Sequence, residues 1–217
     1  MEQKRIFPVG AIGRKLNEKS LIDCFHGFAP ADDDVRGDHD LNDFTPRLKN
    51  RDAAVLVPIL VHDDQLHILF TKRTDHLKNH PGQISFPGGR LEEQDHSLLD
   101  AALRETEEEV GLPRAYVKII GQLNRYITRT GFSITPYVGL IKTPFPVAPD
   151  VFEVDDIFDV PLDFFLNKAN HQKCSRHFEG KKRYFWAMPY QKRFIWGATA
   201  GMLKNLSEIL WERQGND

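Results

Sequence analysis

Cysteine is scarce in this chain: 217 residues contain two, Cys24 and Cys174. Two thiols cannot build a disulfide framework, so a packed core has to hold the fold, and a reducing cytoplasm is the expected home. Long apolar runs are also missing. No stretch approaches the ~20 residues that cross a bilayer, so no membrane partner is expected. Near the N-terminus, residues 6–13 are apolar but short and broken by Pro8, Gly10 and Gly13, a poor secretion signal. Neither sign of charge is in excess, with 29 basic against 31 acidic residues and a net charge of −2. That balance gives no reason to expect nucleic acid or an anionic surface as a partner. Internal repeats are absent.

Apolar residues make up 41% of the chain, enough for the core of one domain of this length. Residues 53–61 form a nearly continuous apolar run, expected to be a buried central strand, and 66–71 a second strand after a turn at Asp63-Asp64. Residues 72–89 read as a basic loop marked by Gly and Pro. Strands are expected at 116–123, 134–141 and 154–160, the last running into a short helix at 162–166. Pro144, Pro146 and Pro149 mark a loop. Short strands at 173–178, 183–187 and 193–196 suggest a meander whose aromatics, Tyr184, Phe185, Trp186, Phe194 and Trp196, are expected in the sheet core. Met202, Leu203, Leu206, Ile209 and Leu210 recur at helical spacing within 198–211, which predicts a core helix. Residues 1–50 are expected to be a partly flexible extension, with a short helix within 11–28 and an acidic loop at 31–43. The sum is a mixed sheet between helices, an α/β/α sandwich over 51–213.

One helix carries the chemistry. Ser97 is its expected N-cap, and Gly111 followed by Pro113 closes it. Leu99, Ala102, Leu103, Thr106 and Val110 share one face. Glu105, Glu108 and Glu109 stand beside that face at i, i+3 and i+4, so their carboxylates are expected to converge. Carboxylates gathered without a neutralising cation repel, and their oxygens suit Mg²⁺ or Mn²⁺. Arg104, four residues before Glu108, can hold it by a salt bridge. Glu107 is expected on the solvated side.

The stretch Arg104-Glu105-Thr106-Glu107-Glu108-Glu109-Val110-Gly111-Leu112, with Gly88-Gly89 upstream, resembles the Nudix box, Arg-Glu-x-x-Glu-Glu-x-Gly. The resemblance implies the Nudix fold and a metal-dependent hydrolase of nucleoside diphosphates linked to another group. The box normally has an acidic residue eight positions before the arginine. Here that position is His96, and Asp95 is expected to take the role across one extra residue. Upstream, Thr71, Arg73, Leu77, His80, Gly82, Gln83 and Phe86-Pro87-Gly88-Gly89 resemble the signature of the coenzyme A pyrophosphatase subfamily, with departures at Phe70, Thr74 and Lys78. Residues 194–201 are similar to the same subfamily.

By that resemblance the substrate is a small nucleotide of coenzyme A type, split into 3′,5′-ADP and 4′-phosphopantetheine or its acyl form. The alternatives are ADP-ribose, NADH or a dinucleoside polyphosphate, or a silent domain serving as a ligand sensor. Glu105 and Glu109 are the expected metal ligands, with Glu108 a third ligand or a partner in activating water. Arg104 orients the cluster, and the Gly89 carbonyl is expected to face the cation. Lys72, Arg73, Lys78 and His80 are expected to bind phosphate, because a cationic loop there meets a polyanion at the metal site, and Gln83 is a further substrate-binding candidate. Glu153 is a ligand, the general base or one more surface acid beside Asp150 and Asp155. His171, Cys174 and His177 have zinc-like spacing, but strand geometry turns residues three apart to different faces, so they are read as structural.

Overall fold

The computed structural model describes residues 16–31, 35–42, 51–62, 65–178 and 180–215. Asp32, Asp33, Asp34 and Asp43 of the acidic segment, and the turn at Asp63-Asp64, lie outside them. In chain order the elements are α1 (Glu18–Phe25), β1 (Arg36–Gly37), β2 (Arg51–His62), β3 (Gln65–Arg73), β4 (Ile84–Ser85), β5 (Gly88–Arg90), α2 (Leu98–Val110), β6 (Val117–Gln122), β7 (Tyr126–Ile127), β8 (Phe132–Lys142), β9 (Val154–Pro161), α3 (Leu162–Leu166), β10 (Gln172–Phe178), β11 (Lys181–Tyr190), β12 (Arg193–Trp196) and α4 (Ala198–Arg213).

Strand β2 is the axis. It runs parallel to β8 from Arg51 opposite Phe132 to Val61 opposite Lys142, and antiparallel to β3 and β5. The resulting sheet is mixed, with β9 on β3, β6 and β7 on β8, and a separate antiparallel sheet of β10, β11 and β12. The apolar run of β2 follows from its position. Ala54, Leu56, Val57, Ile59 and Leu60 are all buried because both faces are covered. Alternation then sorts side chains: Val57, Ile59, Ile68, Phe70, Val138 and Leu140 point into the larger cluster, and Leu60, Leu69 and Ile141 into the smaller.

The larger cluster is closed by α1, α3 and α4. Phe70 is its hub, with ring centroids 5.3 Å from Phe86 and 5.6 Å from both Phe158 and Phe165. Helix α1 begins at an Asn17 cap and buries Leu21, Cys24 and Phe25 in the same cluster. Arg213 ties it to α4 by donating to the Cys24 and His26 carbonyls. Asn205 of α4 donates to the Asn124 side chain at 3.0 Å and accepts the Asn124 N–H, so two buried amides satisfy each other.

Three expectations change. Residues 72–89 are not one loop: β3 runs through Arg73, and β4 and β5 follow. Strands of two or three residues leave no periodic signal. Of the five meander aromatics, Trp186 packs against the core cluster and the other four do not join it. Tyr184 is 36% and Phe194 47% exposed, and Phe185, Trp186 and Trp196 are half-buried, whereas Ala187, Met188 and Ile195 are buried. Met188 and Ile195 enter the main core cluster, and Ala187, on the opposite face, is covered as well. Leu99 and Leu103 are likewise half-buried, and Ala101 and Glu109 join the buried side of α2. Cys174 and His177 fall on opposite faces of β10, as strand geometry demands, and His171 donates to the Phe165 carbonyl at 2.7 Å.

Candidate active site

Both ends of α2 are fixed by local chemistry. The Ser97 hydroxyl accepts the Asp100 N–H at 3.1 Å, a cap worth ~1 kcal/mol. Gly111 ends the helix at φ 71°, ψ 21°, a left-handed conformation natural to glycine. It also sits so close to Ala148 that a Cβ would lie 2.6 Å from backbone N and O. That contact docks the following loop onto the helix end, where the Val110 and Glu109 carbonyls accept the N–H groups of Ala148 at 2.9 Å and Asp150 at 3.2 Å. The loop then delivers Glu153 beside the carboxylates of α2.

Arg104 organises one side of the site. Its Nε and Nη2 make a fork to Asp95 at 2.8 and 3.0 Å, and Nη1 donates to Glu105 at 3.1 Å and Glu108 at 2.9 Å. Nη2 also reaches the Arg90 carbonyl at 3.3 Å. Asp95, rather than His96, is therefore the acidic partner of the arginine, and that hydrogen-bonded guanidinium holds its carboxyl below the usual range. Glu107 lies on the outer side, 46% exposed, facing Arg114.

Glu109 occupies the other side and is the most constrained group. Its side chain is 6% exposed, and Arg73 is its nearest cation at 3.5 Å. The Gly88 N–H faces it and weakly favours its charged form. Its second oxygen, Oε2, is buried with no hydrogen-bond partner among the described residues. Desolvation, only partly opposed by Arg73, pushes its pKa up to about 8, and the charges of Glu105 and Glu153 add to that. Glu105 is raised in the same direction, first by burial. Gly89 lies directly on Glu105, where a Cβ would come within 2.3 Å of Oε1, so a larger residue would displace the carboxylate.

The expected cluster of Glu105, Glu108 and Glu109 is divided: Glu105 and Glu108 share Nη1 of Arg104, and Glu109 lies against Arg73. Glu108 turns outward to Arg104, 60% exposed, because a helix spreads i, i+3 and i+4 over an arc. Glu105 feels the charges of Glu108 and Glu153, and Glu109 those of Glu105 and Glu153. Arg73 stands between strands and carboxylates, 3.7 Å from Glu153, so its charge is engaged by acids. Lys78 and His80 are exposed, and His80 meets the Gln83 side chain at 2.6 Å. The Gln83 carbonyl accepts the Arg73 N–H at 3.0 Å, which ties this loop to the site. Lys72 is paired with Asp155 at 2.5 Å. The Arg90 carbonyl is a part of the site that nothing in the sequence signals, since any residue supplies a carbonyl.

A family model described as NUDIX domain matches residues 50–158. The chain belongs to the Nudix hydrolase family. It is 38% identical over 159 residues to proteins named Uncharacterized Nudix hydrolase NudL from Yersinia pestis (strain Pestoides F) and Yersinia pseudotuberculosis serotype O:1b, spanning 73% of this chain and 79% of theirs. Similar solved structures include a C. elegans Ap4A hydrolase binary complex, at 19% identity, TM-score 0.45, 51% of this chain and 80% of that one. Another is the NUDIX domain of Shewanella oneidensis NrtR complexed with ADP ribose, at 23% identity, TM-score 0.42, 55% of this chain and 76% of that one. This Nudix protein is an enzyme that hydrolyses a nucleoside diphosphate-linked substrate, and enzymes of the family generally use divalent metal ions.

The residues present fit such an ion. Among the described residues no three His, Cys, Asp or Glu side chains are gathered closely enough to hold one as they stand. The donor chemistry is nonetheless right. Buried Glu109 has an oxygen without a partner, and Glu105 is pressed against a glycine beside it. Two crowded, desolvated carboxylates are a site that a hard cation would relieve. Among the described residues no helix is long and apolar enough to cross a membrane.

Proposed function

We propose that this Nudix hydrolase splits the diphosphate of coenzyme A or an acyl-coenzyme A. The products are 3′,5′-ADP and 4′-phosphopantetheine or its acyl form. One observation carries the reading: residues of the second signature are folded onto the box. Arg73 lies against Glu109 and Glu153, Gln83 holds the Arg73 backbone, the Gly88 N–H faces Glu109, and Gly89 lies against Glu105. A signature shared with coenzyme A pyrophosphatases is thus part of the same constellation as the catalytic helix.

Glu105 and Glu109 would hold Mg²⁺ or Mn²⁺, whose bound charge stabilises the phosphate oxygens and acidifies water. Water adds to one phosphorus, the P–O–P bridge breaks, and two phosphate monoesters leave. Glu153, 44% exposed and facing the carboxylates from its loop, accepts the proton of that water. Arg104 keeps Glu105 and Glu108 in place through its fork to Asp95. Arg73 keeps Glu109 and Glu153 apart as acids and screens their repulsion.

Product analysis tests the reading. Free coenzyme A, ADP-ribose, NADH and a dinucleoside polyphosphate are incubated with Mg²⁺ or Mn²⁺ and with EDTA. The expected result is 3′,5′-ADP from coenzyme A at the highest kcat/KM, and no product in EDTA. Faster cleavage of another substrate would move the assignment within the family. Binding without cleavage would identify a sensor.

A further inference from the structure

The near-neutral total charge hides an asymmetry. Residues 164–207 contain nine Lys and Arg and one acidic residue, Glu179, a net of 9 − 1 = +8. The remaining 20 basic and 30 acidic residues sum to −10. Much of the positive segment forms the β10–β12 sheet. One face of that sheet carries Met188 and Ile195 into the core, with Lys204 of α4 over Trp186. The register places Arg176, Phe178, Phe185, Arg183 and Trp196 together on the other face.

Guanidinium groups and rings alternate along that face. Arg176 lies 4.8 Å from the Trp196 ring centroid and 5.6 Å from Phe178, and Arg129 lies 4.7 Å over Phe178 from the other side of the row. Phe185 meets Trp196 edge-on at 5.3 Å. The turn that carries Arg129 leads into Phe132, whose ring lies under Arg90 at 5.0 Å and Arg51 at 5.4 Å. The chain links each end of the row to the neighbourhood of the catalytic constellation. Arg90 follows Gly89 and its carbonyl binds Arg104. Gly197, after Trp196, faces the Gln83 amide 3.9 Å from the position of a Cβ.

Two features of the row are unfavourable as they stand. Arg176 and Arg183 are directly opposed cross-strand, a like-charge pair that costs stability. The Nε of Arg183 is also buried with no hydrogen-bond partner among the described residues. A phosphate monoester would relieve both, because guanidinium forks match its oxygens. Aromatic rings beside such a fork stack a purine.

We infer that this row is the subsite for the nucleoside half of the substrate, a purine nucleotide with a second phosphate on its ribose. The base stacks among the rings, and Arg176 and Arg183 grip the ribose phosphate. The inference rests on the coenzyme A reading and deepens it. It leaves Arg73 out of the ribose-phosphate contact, since that charge is engaged by Glu109 and Glu153.

Equilibrium titration without turnover separates the two ideas. The probes are 3′,5′-ADP and 5′-AMP, added to wild type, Arg176→Gln, Arg176→Lys, Phe178→Ala and Lys173→Ala. Lys173 is on the same strand but the opposite face, so it controls for general charge. Wild type is expected to prefer 3′,5′-ADP by about ten- to hundredfold. Arg176→Gln should erase most of that preference, and Arg176→Lys should restore part of it. Phe178→Ala should weaken both nucleotides about fivefold or more, and Lys173→Ala should leave both within about twofold. Equal affinity of wild type for the two probes overturns the subsite. So do equal losses at Arg176 and Lys173, or tight binding of single-stranded RNA in place of 3′,5′-ADP. Selective 3′,5′-ADP binding in an enzyme that does not cleave coenzyme A would overturn the substrate assignment and leave the subsite standing. Coenzyme A cleavage with an unchanged KM in Arg176→Gln would do the reverse.

Discussion

On the α4 side of the main sheet, Phe70, Phe86, Phe158 and Phe165 stack in a continuous apolar cluster that also takes in α1 and α3. On the α2 side, the buried apolar cluster is Leu60, Leu69, Val110, Leu112 and Ile141, and the same helix buries a carboxylate, Glu109, with an unsatisfied oxygen. One face supplies cohesion and the other keeps charge where charge is costly. An uncompensated buried acid is tolerable only because the opposite face holds the domain together. The comparison predicts that stability and activity can be perturbed separately.

The largest expected effect is on the apolar side. Phe70→Ala should lower unfolding free energy by ~3–5 kcal/mol in urea titration, because the fully buried ring leaves a cavity among three others. The folded fraction should keep its turnover. A loss under ~1 kcal/mol would place the cohesion elsewhere. Glu109→Gln tests the other face. Its kcat should fall about 10²–10³-fold, while metal-free stability stays level or rises, since the change removes a desolvated acid. Equal damage to fold and turnover would show that Glu109 is part of the scaffold.

Smaller effects sharpen the boundary. Asn205→Ala should cost ~1–3 kcal/mol in thermal or urea unfolding, because two buried hydrogen bonds between Asn205 and Asn124 are lost. Turnover at saturating substrate should change little. Glu107→Gln, on the exposed side of α2, should alter kcat by less than about twofold. A large loss at Glu107 would mean that the helix presents a different face to the substrate.

Helix α2 was legible because its signals are local. Ser97, Gly111 and the Arg104–Glu108 spacing are all set by the helical turn, and Asp95 could be assigned to Arg104 from a one-residue offset alone. The strands β2, β3, β8 and β9 were legible because burial on both faces or alternation marks them. Arg73 was not. Its encounter with Glu109 joins segments 36 positions apart, and a basic residue before a glycine-rich stretch looks the same whether it meets a phosphate or a carboxylate. Four of the five β10–β12 aromatics, all but Trp186, were misjudged for a related reason. Apolar residues occur on both faces of that sheet, and only packing against α4 decides which of them are inside.

The central claim is that Glu109 is held as a proton-bearing acid until a cation takes the proton's place. Its folded pKa, about 8, lies above the unfolded carboxylate range, so the proton is favoured by the fold. The stabilisation this gives the metal-free protein is complete below about pH 4.5 and is lost as pH rises through about 8. Metal binding runs the other way, strengthening up to about pH 8 and levelling above it. Calorimetric titration of Mn²⁺ into metal-free enzyme, at pH 7 in two buffers of different ionisation enthalpy, counts the protons released. Wild type should release close to one proton per tightly bound ion, the release should fade by about pH 9.5, and Glu109→Gln should release far less. Tight Mn²⁺ binding at pH 7 with no proton release, in wild type and variant alike, would contradict the account.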